Sequence, residues 1–317
     1  MLRSISITIL LIITGVFSSM TNALEIYGHR GFAGLYPEGT LWGYEEILKL
    51  GVHSVDVDVA LTKDNIVVVS HDPYLNKDLT RDPAGKWLSN NKIKIIDLTF
   101  AELQKYDIGK INPKSIYSKK YPLQIGKDNL RIPSLVQVIN LIKTFGHGAH
   151  KIQIEIKTEP KRDSDQYVHK FVDVIIDTLE KNNFLDRAEL QSFDWRGLLY
   201  AKKINPKIKT SFITEKSFIL DTLKGTSWTA GHSIRNHENS VIKMLSTLGA
   251  DTWCPYYKNV TKELVAQAHA HNIRVVPWTP DLPVEMNNLI QVGVDGIITN
   301  RADILRKVLS ELSIPVP

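Results

Sequence analysis

The sequence predicts an α/β protein: a (β/α)8 barrel with an insertion after a hairpin on its second strand. Three observations predict it. Short apolar runs, β-branched and continuous rather than alternating, recur along the chain, as strands buried on both faces require. From residue 130 onward they alternate with helical patterns, which indicates parallel βα units. Two of the runs, 54–61 and 66–70, are joined only by "TKDN", far short of the dozen residues a parallel crossover needs.

In chain order the strand candidates are "LEIYGH" (24–29), "SVDVDVAL" (54–61), "IVVVS" (66–70), "KIQIEI" (151–156) and "AELQSF" (188–193). "IKTSFIT" (208–214), "DTWCP" (251–255), "IRVVPW" (273–278) and "DGIIT" (295–299) complete them. Nine is one too many for an eight-stranded barrel. Because 54–61 and 66–70 must form a hairpin, turning near Asp64-Asn65, eight parallel strands and one hairpin arm account for all nine. Helical patterns lie at "TLWGYEEILKLG", with Gly51 as C-cap, "DQYVHKFVDVIIDTLEKNN", "SVIKMLSTLGA", "TKELVAQAHAHN" and "PVEMNNLIQVG". An open doubly wound sheet is the alternative, but it would want a glycine-rich phosphate turn after strand one. "GHRGFAG" (28–34) lacks that spacing. Residues 73–130 break the rhythm, with "TFAELQKY" their one short helical pattern; a stretch this long reads as a folded insertion or lid across the barrel mouth.

The bulk numbers fit one such domain. The chain has 317 residues, 43% hydrophobic and 23% charged. Residues 1–23 read as an export signal: Arg3 supplies the n-region, Ile5 to Phe17 the apolar core, and Thr21-Asn22-Ala23 the cleavage site. The apolar run falls short of the roughly 20 residues that span a bilayer, so no stable membrane anchor is expected after cleavage. A periplasmic home is expected, with secretion as the alternative, and residues 24–317 form a single barrel domain. Cys254 is the one cysteine, so no internal disulfide can form, and its apolar neighbours make it a packing residue. The formal net charge of +5 and pI near 9.0 would suit an anionic partner. No basic run exceeds two residues, however, which argues against nucleic acid.

One stretch carries chemistry: "VDVDVALTKDNIVVVSHD" (55–72). With the turn centred between Asp64 and Asn65, Asp58 and His71 become cross-strand neighbours, and Asp56 shares the face of Asp58. Two buried carboxylates repel and lose hydration, so they need a proton, a cation or basic partners. A bound divalent metal answers that need; a solvated polar face on an edge strand is the other reading, and hairpin symmetry alone leaves both open. "GHRG" (28–31) places His29 and Arg30 at the end of the first strand, where barrel enzymes build their sites. "QIEIK" (153–157) puts Glu155 and Lys157 on one face of another.

These motifs closely resemble the glycerophosphodiester phosphodiesterase family. The resemblance runs through "HRG" (29–31), "YPEGT" (36–40), "DVDVALTKDNIVVVSHD" (56–72), "IEIK" (154–157), "LQSFD" (190–194), "VPWT" (276–279) and "GVDGIITN" (293–300). It covers essentially the whole mature chain. It implies a TIM-type barrel that hydrolyses glycerophosphodiesters to glycerol 3-phosphate and an alcohol, with a divalent cation and two histidines. It implies Asp56, Asp58 and Glu155 as metal ligands, His29 and His71 as the acid/base pair, and Arg30 and Lys157 on the phosphate. Trp278 and Phe193 would line the glycerol end. An all-carboxylate set favours a hard ion, Ca²⁺ or Mg²⁺.

Three positions depart from the family pattern. Asp56 stands where glutamate is usual, "PEG" (37–39) replaces an Asn-containing element, and "TNRAD" (299–303) replaces an Asp-Pro form. None removes an expected catalytic group. Two other readings remain beside it. One is phospholipase D-like action on lysophospholipid or sphingomyelin; the other is a barrel that only binds a phosphorylated ligand.

Overall fold

The computed structural model describes residues 24–145 and 149–317; the expected leader and His147 lie outside them. Nine strands form: β1 (Glu25–Gly28), β2 (Ser54–Leu61), β3 (Val67–Val69), β4 (Lys151–Ile156), β5 (Ala188–Ser192), β6 (Lys209–Thr214), β7 (Thr252–Pro255), β8 (Arg274–Val275) and β9 (Gly296–Thr299). Their order is β8-β7-β6-β5-β4-β2-β1-β9 with every neighbour on that path parallel, and β3 lies antiparallel on β2. The two ends of this path meet. The N–H of Asp295 donates to Val275 O at 2.9 Å and that of Ile298 to Pro277 O at 3.0 Å, giving the expected TIM-type barrel. Pro277 has no N–H to offer, which keeps β8 short.

A helix follows each parallel strand: α1 (Leu41–Leu50), α2 (Leu135–Thr144), α3 (Asp165–Lys181), α4 (Trp195–Ile204), α5 (Val241–Thr247), α6 (Lys262–Ala270), α7 (Pro283–Val292) and α8 (Ala302–Glu311). The side chains of Thr40, Ser134, Ser164, Asp194, Ser240 and Thr261 each accept from a first-turn N–H, so the starts are written locally. Three helices, α2, α4 and α8, go beyond those the apolar patterns mark. In α2, "LVQVINLIKT", the β-branched content masks the helical period, and the Ser134–Gln137 capping box is the better signal.

The hairpin differs from expectation by one residue. Val59 pairs with Val69 and Leu61 with Val67, and Ser70 donates its N–H to Asp58 O at 3.0 Å. Ser70, not His71, therefore faces Asp58. The cause is a three-residue loop centred on Asp64 rather than a two-residue turn. Thr62 N–H donates to Ile66 O at 3.1 Å, Asn65 N–H to Thr62 O at 3.0 Å, and Asn65 takes a left-handed φ of 60°. The Thr62 hydroxyl and the Phe100 N–H both donate to Asp64 Oδ1, at 2.6 and 3.0 Å, which holds the loop in that form.

Along β2 the pleat sorts the side chains. Val55, Val57 and Val59 pack outward against the helices with Ile152, Ile154 and Ile156 of β4. Asp56 and Asp58 alternate with them and so face the barrel axis, buried. Residues 73–130 carry helical turns at Phe100–Leu103 and Tyr117–Lys120 and a small core of their own. There Leu75, Ile95 and Leu103, joined by Ile132 just beyond the segment, cover Ala60 and Val68, the outer side of the hairpin. Among the described residues no helix is long and apolar enough to cross a membrane.

Candidate active site

Parallel strands bring their C-terminal ends to one mouth, and the nine residues singled out above sit there on six strand ends. Eight of them line one cavity of about 350 Å³: His29, Arg30, Asp56, His71, Glu155, Lys157, Phe193 and Trp278. Asp58 borders the adjoining chamber under the 73–130 segment.

After β1 the chain turns sharply. A Cβ on Gly28 would meet Ile47 Cγ1 at 2.6 Å and Gly31 O at 2.7 Å, so only glycine fits. Arg30 then takes a left-handed φ of 51°, and its side chain bridges Glu38 (Nη1–Oε1 3.2 Å) and Asp58 (Nε–Oδ2 3.1 Å). His29 is held from the far end of the chain. Its Nδ1 lies 2.6 Å from Asn300 Oδ1, while Asn300 donates through Nδ2 and its backbone N–H to Asp281 at 2.8 and 3.0 Å. Asn300 Oδ1 can only accept, so Nδ1 carries the proton and Nε2 is left toward the cavity, 3.9 Å from Asp56 Oδ2. Asp72 holds His71 in the same way, Oδ1 to Nδ1 at 3.0 Å, and Asp72 Oδ2 accepts from Asn76 Nδ2 at 2.8 Å.

The carboxylates crowd together. Asp58 on β2 is in register with Glu155 on β4. Lys157 Nζ lies 2.5 Å from Glu155 Oε1 and 3.6 Å from Asp58 Oδ1, and Gln191 donates to Asp56 Oδ1. Burial, then the charges of Asp58 and Glu155, push Asp56 well above the usual carboxylate range. Burial pushes Asp58 the same way, but Lys157 and Arg30 outweigh it and hold Asp58 far below. Burial lifts Glu155 to about 7 against the pull of Lys157. It also lowers His29 to about 3, with Arg30 adding to the effect, and lowers His71 with help from Arg30 and Lys157. Both imidazoles are thus shifted toward the neutral form.

Opposite the charged wall, Phe193 and Trp278 meet edge-on with centroids 5.4 Å apart, and Tyr256 lies 5.4 Å from Trp278. Trp278 Nε1–H donates to Cys254 O at 3.2 Å. Cys254 itself is buried inside the barrel with Tyr27, Ile213 and Ile298.

The sequence and the fold both have relatives among known proteins. The model of the glycerophosphoryl diester phosphodiesterase family matches residues 29–304. The chain belongs to this family. It is a phosphoric diester hydrolase of the glycerophosphodiester phosphodiesterase type. A glycerophosphodiester phosphodiesterase of Caldanaerobacter subterraneus subsp. tengcongensis is 26% identical over 281 residues, covering 88% of this chain and 95% of that one. A crystal structure from Silicibacter pomeroyi, assigned as a glycerophosphoryl diester phosphodiesterase, superposes with a TM-score of 0.85 at 27% identity, over 93% of this chain and 96% of that one. An Oleispira antarctica phosphodiesterase, solved with the product sn-glycerol-3-phosphate, matches at a TM-score of 0.66 and 20% identity, over 91% and 97% of the two chains. At that identity the likeness is one of fold.

The family resemblance implies a divalent cation, and the donors can be tested against it. Three buried carboxylates offer only oxygen, the chemistry of a hard ion. Both oxygens of Asp58 and Nε of Arg30 are buried and make no hydrogen bond of good geometry, only ion contacts. Asp58 is charge-compensated by Arg30 and Lys157 with its oxygens left for a ligand, while Asp56, raised by burial beside two further acids, is the carboxylate short of positive charge. As the side chains stand, no three His, Cys, Asp or Glu groups among the described residues converge closely enough to share an ion. The Lys157 ammonium stands between Glu155 and Asp58 instead. The donor set therefore fits a hard cation by type, burial and charge, with Lys157 supplying the compensating charge in this arrangement.

Several groups at the site go beyond the sequence-based set. Asp72 is signalled by its place directly after His71, and Gln191 by its place two before Phe193 on β5. Asn300 ends the "GIITN" strand motif. Asp281, in the loop between two prolines, carries no sequence signal; only barrel closure brings it to Asn300. Tyr117 and Lys120 join from the insertion, Tyr117 Oη donating to Glu38, the acid of the "YPEGT" motif that also pairs with Arg30.

Proposed function

We propose that this family member hydrolyses glycerophosphodiesters to glycerol 3-phosphate and an alcohol, with His29 and His71 moving the protons. One observation carries the reading. Two imidazoles, each with Nδ1 tied to a side chain and Nε2 left for proton transfer, face Arg30, Lys157 and a group of carboxylates around one cavity.

A phosphodiester is an anion, so a nucleophile must approach negative charge and a poor alkoxide must leave. Arg30 and Lys157 bind the phosphoryl oxygens and meet the charge that builds on them. One histidine, neutral, accepts the nucleophile's proton at Nε2; the other enters the step as the imidazolium, protonated on both nitrogens, and gives its Nε2 proton to the departing alcohol, each transfer worth about 10²–10⁴-fold. The Asn300–Asp281 and Asp72–Asn76 pairs fix the tautomers that make Nε2 the reacting nitrogen. Phe193, Trp278 and Tyr256 give the glycerol a wall that excludes water. Asp56, Asp58 and Glu155 would hold the divalent ion, which supplies Lewis-acid polarisation of the phosphoryl group. Lys157, held between Glu155 and Asp58, lines the same cavity and would meet the phosphate there.

In this reading residues 24–317 are one catalytic barrel with 73–130 as its lid, and the leader places the mature chain in the periplasm or outside the cell. The test is release of glycerol 3-phosphate from glycerophosphocholine, first in EDTA and then with Ca²⁺ or Mg²⁺ restored. Release that returns with the ion supports the whole reading. Undiminished release in EDTA overturns the metal assignment, and no release from folded protein with any ion overturns the substrate.

A further inference from the structure

We propose that the mouth of the barrel docks on an anionic lipid surface through the 108–127 segment and the loop after β6. The loops that follow the strands all emerge at the mouth. Four of them present large apolar side chains to solvent. Ile66 lies in the hairpin loop after β2, Ile116, Leu123 and Ile125 on the insertion, Phe218 and Ile219 after β6, and Leu282 and Val284 after β8. Ile116 is 85% exposed, Ile219 93%, and Phe218 fully so. At the opposite end of the barrel the exposed large apolar residues among those described are Ile204 and Leu312. The asymmetry follows the mouth.

Charge identifies the partner. Residues 108–127 contain five lysines and no acidic residue. Lys114, Lys119, Lys120 and Lys127 are exposed, while Lys110 is paired with Asp128 at 2.7 Å. Apolar tips interleaved with lysines suit a surface that is anionic outside and apolar just beneath. A second copy packed on this face by two-fold symmetry would set the lysines against themselves. Nucleic acid would pair with the lysines but leave Phe218 and Ile219 in water.

The segment is a built platform. Tyr117 Oη donates to Glu38, Ile125 N–H to Leu35 O at 2.7 Å, and Gln124 Nε2 to Ala33 O at 2.8 Å. Lys120 of the same segment lines the active-site cavity, so docking would point the site at the lipid.

The test is co-sedimentation of the mature chain with phosphatidylcholine vesicles, with and without phosphatidylglycerol. Binding is expected on the anionic vesicles and at least about tenfold weaker on neutral ones or at about 1 M salt. The pairs Phe218→Glu/Ile219→Glu and Lys114→Glu/Lys119→Glu should each weaken it about tenfold or more. Both should keep the wild-type melting temperature and turnover of water-soluble glycerophosphocholine. Should a glutamate pair unfold the chain, Phe218→Ala/Ile219→Ala and Lys114→Ala/Lys119→Ala give the same comparison. No binding to anionic vesicles, binding unchanged by both pairs, a dimer that the variants dissociate, or retention by oligonucleotide alone would each overturn the proposal. Sedimentation needs no turnover, so its failure is separate from that of the proposed activity.

Discussion

At the foot of the barrel, Glu25 accepts from Tyr27 Oη at 2.7 Å, Arg274 Nη2 at 2.7 Å and Lys151 Nζ at 3.0 Å, while Glu189 accepts from Thr252 Oγ1 at 2.6 Å. At the mouth, the oxygens of Asp58 are buried without one hydrogen bond, and Asp56 faces two further carboxylates. Both ends draw acidic groups into the same barrel, half-buried at the foot and buried at the mouth. The foot satisfies its carboxylates with its own donors and so spends them on stability. The mouth leaves Asp56 short of positive charge, a lack that costs stability and that the proposed cation would fill.

The largest effects should come from breaking the mouth. His29→Ala or His71→Ala should cut turnover by about 10²–10⁴-fold. Asp56→Asn should also lose about 10²-fold or more in activity. Its melting temperature in EDTA should hold or rise, because a like charge leaves a crowded site. A clear loss of stability in Asp56→Asn would show that the mouth is as satisfied as the foot.

Next in size is the ion itself. Ca²⁺ or Mg²⁺ at about 100 times its Kd should stabilise the wild type by about 2.7 kcal/mol, and should leave an Asp56→Asn/Asp58→Asn double variant unmoved. Calorimetry with and without EDTA reads both.

The foot should answer in the opposite currency. Arg274→Ala leaves Glu25 without its nearest guanidinium and should destabilise by about 1–3 kcal/mol, with turnover within about twofold of wild type. A large kinetic defect there would erase the distinction between the two ends.

The smallest effect sharpens the comparison by pH. Burial raises the Glu25 carboxyl, yet Arg274, Tyr27 and Lys151 together bring it down to about 2 from its ordinary 4.5. The folded state thus binds a proton less readily than the unfolded one. The stabilisation is complete above about pH 4.5 and fades as pH falls toward 2. Glu25→Gln should therefore melt lower than wild type at pH 6, by about 1–2 kcal/mol, and match it near pH 2. A gap that persists unchanged to pH 2 would deny the ion pair its role.

Most of the fold was legible because its signals are local. Short apolar runs, most of them β-branched and continuous, mark all nine strands, and the four-residue "TKDN" link forces an antiparallel arm by length alone. The register of that arm was not legible. A turn centred on Asp64 and one centred between Asp64 and Asn65 fit the same residues. Asn65 in a left-handed conformation, with Thr62 and Phe100 held on Asp64, decides between them. His71 still reaches the cavity because β3 ends at Val69 and the pleat no longer sets its direction.

The sequence by itself determined which groups this protein carries to the mouth: two histidines, three acids, Arg30 and Lys157, each at a strand end by its place in a short motif. Tertiary structure alone decided how they are held. The contact that sets the His29 tautomer joins residues 271 positions apart and exists only once β9 closes against β1. Lys157 between Glu155 and Asp58, and Asp281 beneath Asn300, likewise arise from strands and loops brought together by the barrel. Periodicity and turn length act within a few residues and can be read along the chain. Partners in a buried charge network are chosen by proximity in space, where desolvation makes each pairing count.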